Sequence, residues 1–215
     1  LSLKLYTEDL SKLIKLLQFK YSSDLRFVLV GHSWGGSLGI NYLADSQNQL
    51  NVLGWIEIGG GHNVPRIVEL EKEMILNLGQ QFVQSGLQTN EWKSIISEAN
   101  SLNIDDKNGV FGMNRLANQS ESLIRKMDSV NSKIDNNFLN DYFFSPIEPF
   151  AESVNQNRTF QEMDLELSKL NLSDKLPKIK IPTLLLWGKY DFRVPPKFAV
   201  EEIEKYGSSE KKLVI

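Results

Sequence analysis

Apolar and polar positions follow two rhythms along the chain. In YTEDLSKLIKLLQFKY (residues 6–21), Leu10, Leu13, Ile14, Leu16 and Leu17 recur at the spacing of an amphipathic helix, with Thr7 as the predicted N-cap. LRFVLVG (25–31) is a continuous apolar run rich in β-branched residues, which predicts a strand buried on both faces of a parallel sheet. SLGINYLADS (37–46) predicts a helix, VLGWIEIGGG (52–61) a second buried strand and IPTLLLWGKYD (181–191) a third. Residues 195–205 predict a helix opened by Pro195 and Pro196, and KKLVI (211–215) begins a fourth strand. Strands alternating with helices imply right-handed crossovers and an open, mostly parallel sheet.

The middle of the chain departs from that rhythm. Between about Gly61 and Lys178 it is rich in Asn, Gln, Ser, Glu and Lys, and lacks a strong β run. Helical periodicity instead marks RIVELEKEMILNL, TNEWKSIISEANSL and SESLIRKMDSV. The expected organisation is α/β, with a core of residues 1–60 and 179–215 and a helical insertion at 61–178 of the kind that forms a lid.

Composition narrows the function classes. The 215 residues are 41% hydrophobic and 24% charged, as in ordinary soluble domains, and long enough to bury a core. A net charge of -3 provides no basic footprint for nucleic acid. No apolar run approaches the ~20 residues of a membrane span, so no membrane partner is expected. Cysteine is absent, which excludes disulfides and thiolate metal sites, and the expected location is cytoplasmic. Only His32 and His62 are available as imidazoles, so neither a metal nor another cofactor is expected.

The chemistry gathers at GHSWGG (31–36), where a strand meets a helix. Gly31-x-Ser33-x-Gly35 in that context is a nucleophile-elbow pattern: a strained turn lifts the serine Oγ above the carboxyl end of the sheet. Glycines nearby are expected to relieve steric clashes. The helix N-terminus presents free N–H groups to a developing oxyanion, the Trp34 N–H among them.

On these residues the chain resembles the α/β-hydrolase superfamily, especially its lid-bearing, proline-iminopeptidase-like serine hydrolases. The resemblance implies a partial, mostly parallel α/β-hydrolase sheet from the elbow strand onward, with a helical lid. It implies that Ser33 is the nucleophile and that Asp191, in the G-x-x-D turn of LLLWGKYDFRVP, is the triad acid. The family's base lies just past the strand that KKLVI begins, and neither His32, beside the serine, nor His62, before the lid, matches it. The second oxyanion donor comes from a loop ahead of the elbow strand. The resemblance therefore implies truncation at both ends, with roughly a third of the usual length missing at the start.

The implied reaction is acyl-enzyme hydrolysis of an ester, amide or peptide, with this fragment expected to be inactive alone. A non-catalytic binding module of the same fold is the alternative. Expected partners are a small-molecule or peptide substrate and, through an exposed edge at the elbow strand, a second chain. In the insertion, Phe82, Trp92, Phe111, Tyr142, Phe143, Phe144 and Phe150 are expected mainly as core. Glu71 and Glu73 are expected on a solvated helix face, although iminopeptidase-like relatives use lid carboxylates to hold a substrate amine.

Overall fold

The structure is a computed structural model describing residues 2–127 and 168–215. Helix α1 (Leu3–Tyr21) precedes strand β1 (Phe27–His32), helix α2 (Trp34–Leu43) and strand β2 (Val52–Ile58). Helices α3 (Val64–Ser85), α4 (Thr89–Ser101) and α5 (Lys107–Met127) follow. The chain returns through β3 (Thr183–Leu186), α6 (Pro196–Ile203) and β4 (Lys211–Val214).

The four strands lie side by side in chain order, every pair parallel. Val30 stands opposite Ile56, Ile56 opposite Leu184 and Leu184 opposite Lys212, so one row crosses the whole sheet. This is the expected α/β architecture. Its core contains Trp55, Leu185, Trp187, Phe198 and Tyr206, together with Ile40 and Leu43 of α2.

Two expectations about burial fail. The β1 strand is not covered on both faces: Phe27 and Leu29 pack on the core, but Val28 and Val30 are 49% and 56% exposed. Among the described residues, β1 has a strand neighbour on one side only, and nothing covers the Val28–Val30 face. Helix α1 likewise buries Leu3 and Ile14 while Leu13, Leu16 and Leu17 stay exposed.

Its N-cap is Ser2, whose Oγ accepts from the Leu5 N–H, rather than Thr7. Thr7 sits inside the helix, where its hydroxyl donates to the Leu3 carbonyl at 2.8 Å and accepts from Asn41 Nδ2 at 2.7 Å. Such back-bonding to the fourth residue before lets threonine sit within a helix.

Helices α3, α4 and α5 stand between β2 and β3, where a helical insertion is expected, and they have their own core. Trp92, Ile95, Ala99, Met113 and Leu116 are buried there with Val68 and Ile75. Phe82 stacks on Trp92 with ring centres 5.1 Å apart, so both aromatics serve the core as expected. Tyr142, Phe143, Phe144 and Phe150 lie outside the described residues. Among the described residues, no helix is long and apolar enough to cross a membrane.

Candidate active site

Ser33 occupies the junction that the sequence marks. It is the residue before α2, with φ 52° and ψ -117°, a conformation that L-residues adopt only when their surroundings impose it. Two backbone bonds impose it here. The Ser33 N–H donates to the Ile58 carbonyl at 3.0 Å, and the Gly36 N–H donates to the Ser33 carbonyl at 2.8 Å. The turn is thus tied both to β2 and to its own helix. The Trp34 N–H follows in the first turn of α2, where backbone donors have no intrahelical acceptor.

The elbow glycines differ in purpose. A Cβ on Gly31 would fall 2.3 Å from the Gly35 carbonyl oxygen and 2.4 Å from the Trp55 ring, and one on Gly36 would fall 2.7 Å from Glu57 Oε1. Gly35, contrary to the expected steric need, has no atom within 4 Å of that position.

Asp191 is held by the turn after β3. Its Oδ1 accepts from the backbone N–H groups of Arg193 (3.0 Å) and Val194 (2.8 Å). Its Oδ2 accepts no hydrogen bond among the described residues and lies beside Gly59, whose Cβ would stand 3.2 Å away. Burial raises the Asp191 pKa above its ordinary value, offset in part by the Val194 N–H. Ser33 and Asp191 line one cavity of about 550 Å³, together with His32, Gly59, Glu121 and Arg193.

A second cavity, of about 500 Å³, opens on the other side of Ser33 and is lined by Trp34, Val64, Val68, Glu71, Phe111 and Arg193, among others. Phe111 is thus an aromatic of the insertion that faces the cavity. Glu71, expected on a solvated face, is wholly buried, and neither carboxyl oxygen has a hydrogen-bond partner among the described residues. Burial raises its pKa well above the ordinary value, Arg193 pulls it down, and Asp191 and Glu121 push it up. The reason for its burial is helical spacing: Glu71 is four residues from both Ile67 and Ile75 on the inward stripe of α3. Glu73 does lie on the solvated face and pairs with Lys197 at 2.7 Å.

The two histidines take other places. His32 is exposed and lines the Asp191 cavity, but bonds to neither Ser33 nor Asp191 among the described residues. His62 is 1% exposed and lines neither cavity. Its ring lies 4.6 Å from that of Phe198, and its carbonyl accepts from the Leu172 N–H at 2.7 Å, where the insertion rejoins the core. Burial lowers the His62 pKa to about 4, which keeps the imidazole neutral. Among the described residues, no cluster of His, Cys, Asp and Glu could hold a metal ion.

With this geometry in view, two solved structures are informative. An esterase from Exiguobacterium antarcticum superposes with a TM-score of 0.51 at 20% identity, covering 96% of this chain and 63% of that one. An acetylester hydrolase from Corynebacterium glutamicum also gives 0.51, at 14% identity, covering 97% of this chain and 59% of that one. The fold and the elbow turn define the class: the chain has the α/β-hydrolase fold. In sequence it is 27% identical over 197 residues to a proline iminopeptidase of Saccharolobus solfataricus, covering 86% of this chain. The chain spans about half, 54%, of that relative's length. It matches no protein-family model.

Proposed function

We propose that this chain carries the nucleophile and acid of a serine hydrolase working through an acyl-enzyme. The observation that carries the reading is Ser33, held at φ 52° at the head of α2 and opening on the same cavity as Asp191. Ser33 Oγ attacks the carbonyl of an ester, amide or peptide. The Trp34 N–H stabilises the oxyanion that forms, and water then releases the acyl group. Asp191 Oδ2, which accepts no hydrogen bond among the described residues, is the atom left to orient an imidazole, while the bonds to Oδ1 fix the carboxylate.

Neither histidine of the chain takes the imidazole's place, so a base from outside these 215 residues completes the triad. Without it, the serine hydroxyl is a weak nucleophile. The expected outcome is slow labelling of the protein by a fluorophosphonate. Added imidazole should accelerate it, and Ser33→Ala should abolish it. Fast stoichiometric labelling without imidazole would overturn the assignment of an external base. No labelling of Ser33 under any condition would favour a binding module of the same fold.

Glu71 favours a more particular substrate. Its unpaired carboxyl borders the cavity that Ser33 opens on, and a substrate ammonium beside it would restore its ionised form. An aminopeptidase-like preference for a free amine follows, in keeping with the likeness to a proline iminopeptidase. Prolinamide is expected to raise the thermal midpoint of the wild type but not of Glu71→Gln, and N-acetylprolinamide to leave both unchanged. Equal stabilisation by both ligands would remove the amine from the reading and leave an esterase or amidase. A cytoplasmic location, suggested by the absence of cysteine, belongs to the same proposal.

A further inference from the structure

Beneath the elbow lies a second group of ionisable side chains that the reaction does not use. Glu57 of β2 and Glu202 of α6 are both fully buried, and Glu57 Oε1 and both Glu202 oxygens have no hydrogen-bond partner among the described residues. The Tyr206 hydroxyl donates to Glu57 Oε2 at 2.6 Å and accepts from Trp55 Nε1 at 3.0 Å. His62 Nδ1 stands 3.0 Å from Glu202 Oε1, close but not aligned as a hydrogen bond. Glu202 from α6, Tyr206 just beyond that helix and His62 from the turn before α3 are the titratable groups acting on Glu57. Lys205 acts on Glu202 and His62, and Gly36 of α2 lies against Glu57. Among the described residues, neither carboxyl forms an ion pair with a lysine or arginine. Two carboxylates side by side in a dry site do not both ionise, so the pair retains a proton.

The pair underlies both halves of the candidate site. Glu57 Oε1 fills the space next to Gly36 and Gly60, where a Cβ would fall 2.7 Å and 2.0 Å away. Gly36 donates to the Ser33 carbonyl and so belongs to the nucleophile's turn. Gly60 stands between Gly59, which packs on Asp191 Oδ2, and Gly61, whose carbonyl accepts from the Ser37 hydroxyl of α2. One carboxyl therefore supports the segment carrying the serine and the segment against the acid.

We propose that Glu57 is a positioning residue: the protonated Glu57–Glu202 pair holds the Ser33 turn and the Gly59–Gly61 turn in register, and loss of its proton loosens the elbow. The proposal rests on the reading of Ser33 and Asp191 as the working site. Burial raises both carboxyl pKa values, that of Glu202 to about 8. A raised folded-state value means the Glu202 contribution is present below the ordinary carboxylate range and lost as pH rises through about 8. The Glu202 charge formed there has no lysine or arginine ion-pair partner among the described residues, raises the Glu57 carboxyl further and draws in water.

The test is amide hydrogen exchange of Trp34, Gly35 and Gly36 in the 215-residue chain, corrected for base-catalysed intrinsic exchange, between about pH 6 and about pH 9. Protection at the elbow is expected to fall by about tenfold per pH unit, up to about a hundredfold, between about pH 6 and the Glu202 titration near 8. Glu202→Gln cannot release the proton that titrates near 8, so its elbow protection should not change with pH. Glu57→Gln keeps the shape and the Tyr206 bond but removes the carboxyl that carries the Glu202 charge to the two turns, so its profile should also be flat, and it supplies the answer should Glu202→Gln fail to fold. An elbow in the wild type that does not respond to pH, or a response that survives in both variants, would overturn the proposal. The exchange measurement needs no turnover. A serine that fails to label counts against the hydrolase reading, whereas a flat exchange profile counts against the positioning role.

Discussion

At the scale of single residues, the elbow stores strain and the surrounding glycines make room for it. Ser33 sits in a backbone region where glycine is at ease, a cost of about 1–3 kcal/mol for a residue with a Cβ. Ser33→Gly should therefore stabilise the chain by about 1–2 kcal/mol in urea unfolding while abolishing fluorophosphonate labelling. No gain in stability would show that the turn is not strained. Gly31→Ala meets the Gly35 carbonyl and the Trp55 ring, and should cost about 1–3 kcal/mol or more. Gly35→Ala, in open space within α2, should be neutral or stabilise by up to about 1 kcal/mol. The three glycines read alike in the sequence; only the positions of Trp55 and Glu57 separate them.

At the scale of elements, the Asp191 turn is built partly by the helices between β2 and β3. Phe192, next to Asp191 in sequence, is fully buried in the core of α3, α4 and α5, with its ring 6.1 Å from that of Trp92. Its N–H donates to Glu121 Oε1 of α5 at 3.2 Å. Phe192→Ala should cost about 3–5 kcal/mol in urea unfolding. It should also raise exchange at the Arg193 and Val194 amides, which hold Asp191, more than at the β2 amides; equal loosening everywhere would mean the turn does not depend on the insertion. The four strands, their mostly parallel sheet, the helices between β2 and β3 and the turns at Ser33 and Asp191 were legible in the sequence because apolar runs and glycine turns report local structure. The buried acids were less visible, since periodicity rules treat glutamate as surface. A positional signal did exist: Glu57 shares strand parity with Trp55, Glu71 lies between Ile67 and Ile75, and Glu202 is four residues past Phe198. Phe192 carried none, because its partners in the insertion are distant in sequence.

At the scale of the whole molecule, β1 and α1 both carry exposed apolar side chains. Val28 and Val30 stand exposed on β1, which has a strand neighbour on one side only among the described residues. Leu13, Leu16 and Phe19 of α1 are 52%, 60% and 91% exposed. An edge strand with free backbone groups and an apolar face is a template for another chain, and α1 adds further apolar surface to be covered. The 215-residue chain should therefore self-associate as its concentration rises, seen as an increasing sedimentation coefficient. Val30→Lys introduces a charge at a position already exposed, so its cost to folding should be within about 0.5 kcal/mol, while its effect on edge pairing should be large. Phe19→Lys tests the helix in the same way. Loss of association with Val30→Lys alone assigns it to the strand edge, and loss only with Phe19→Lys assigns it to α1. A double variant that sediments like the wild type at every concentration would show that neither surface joins the chains.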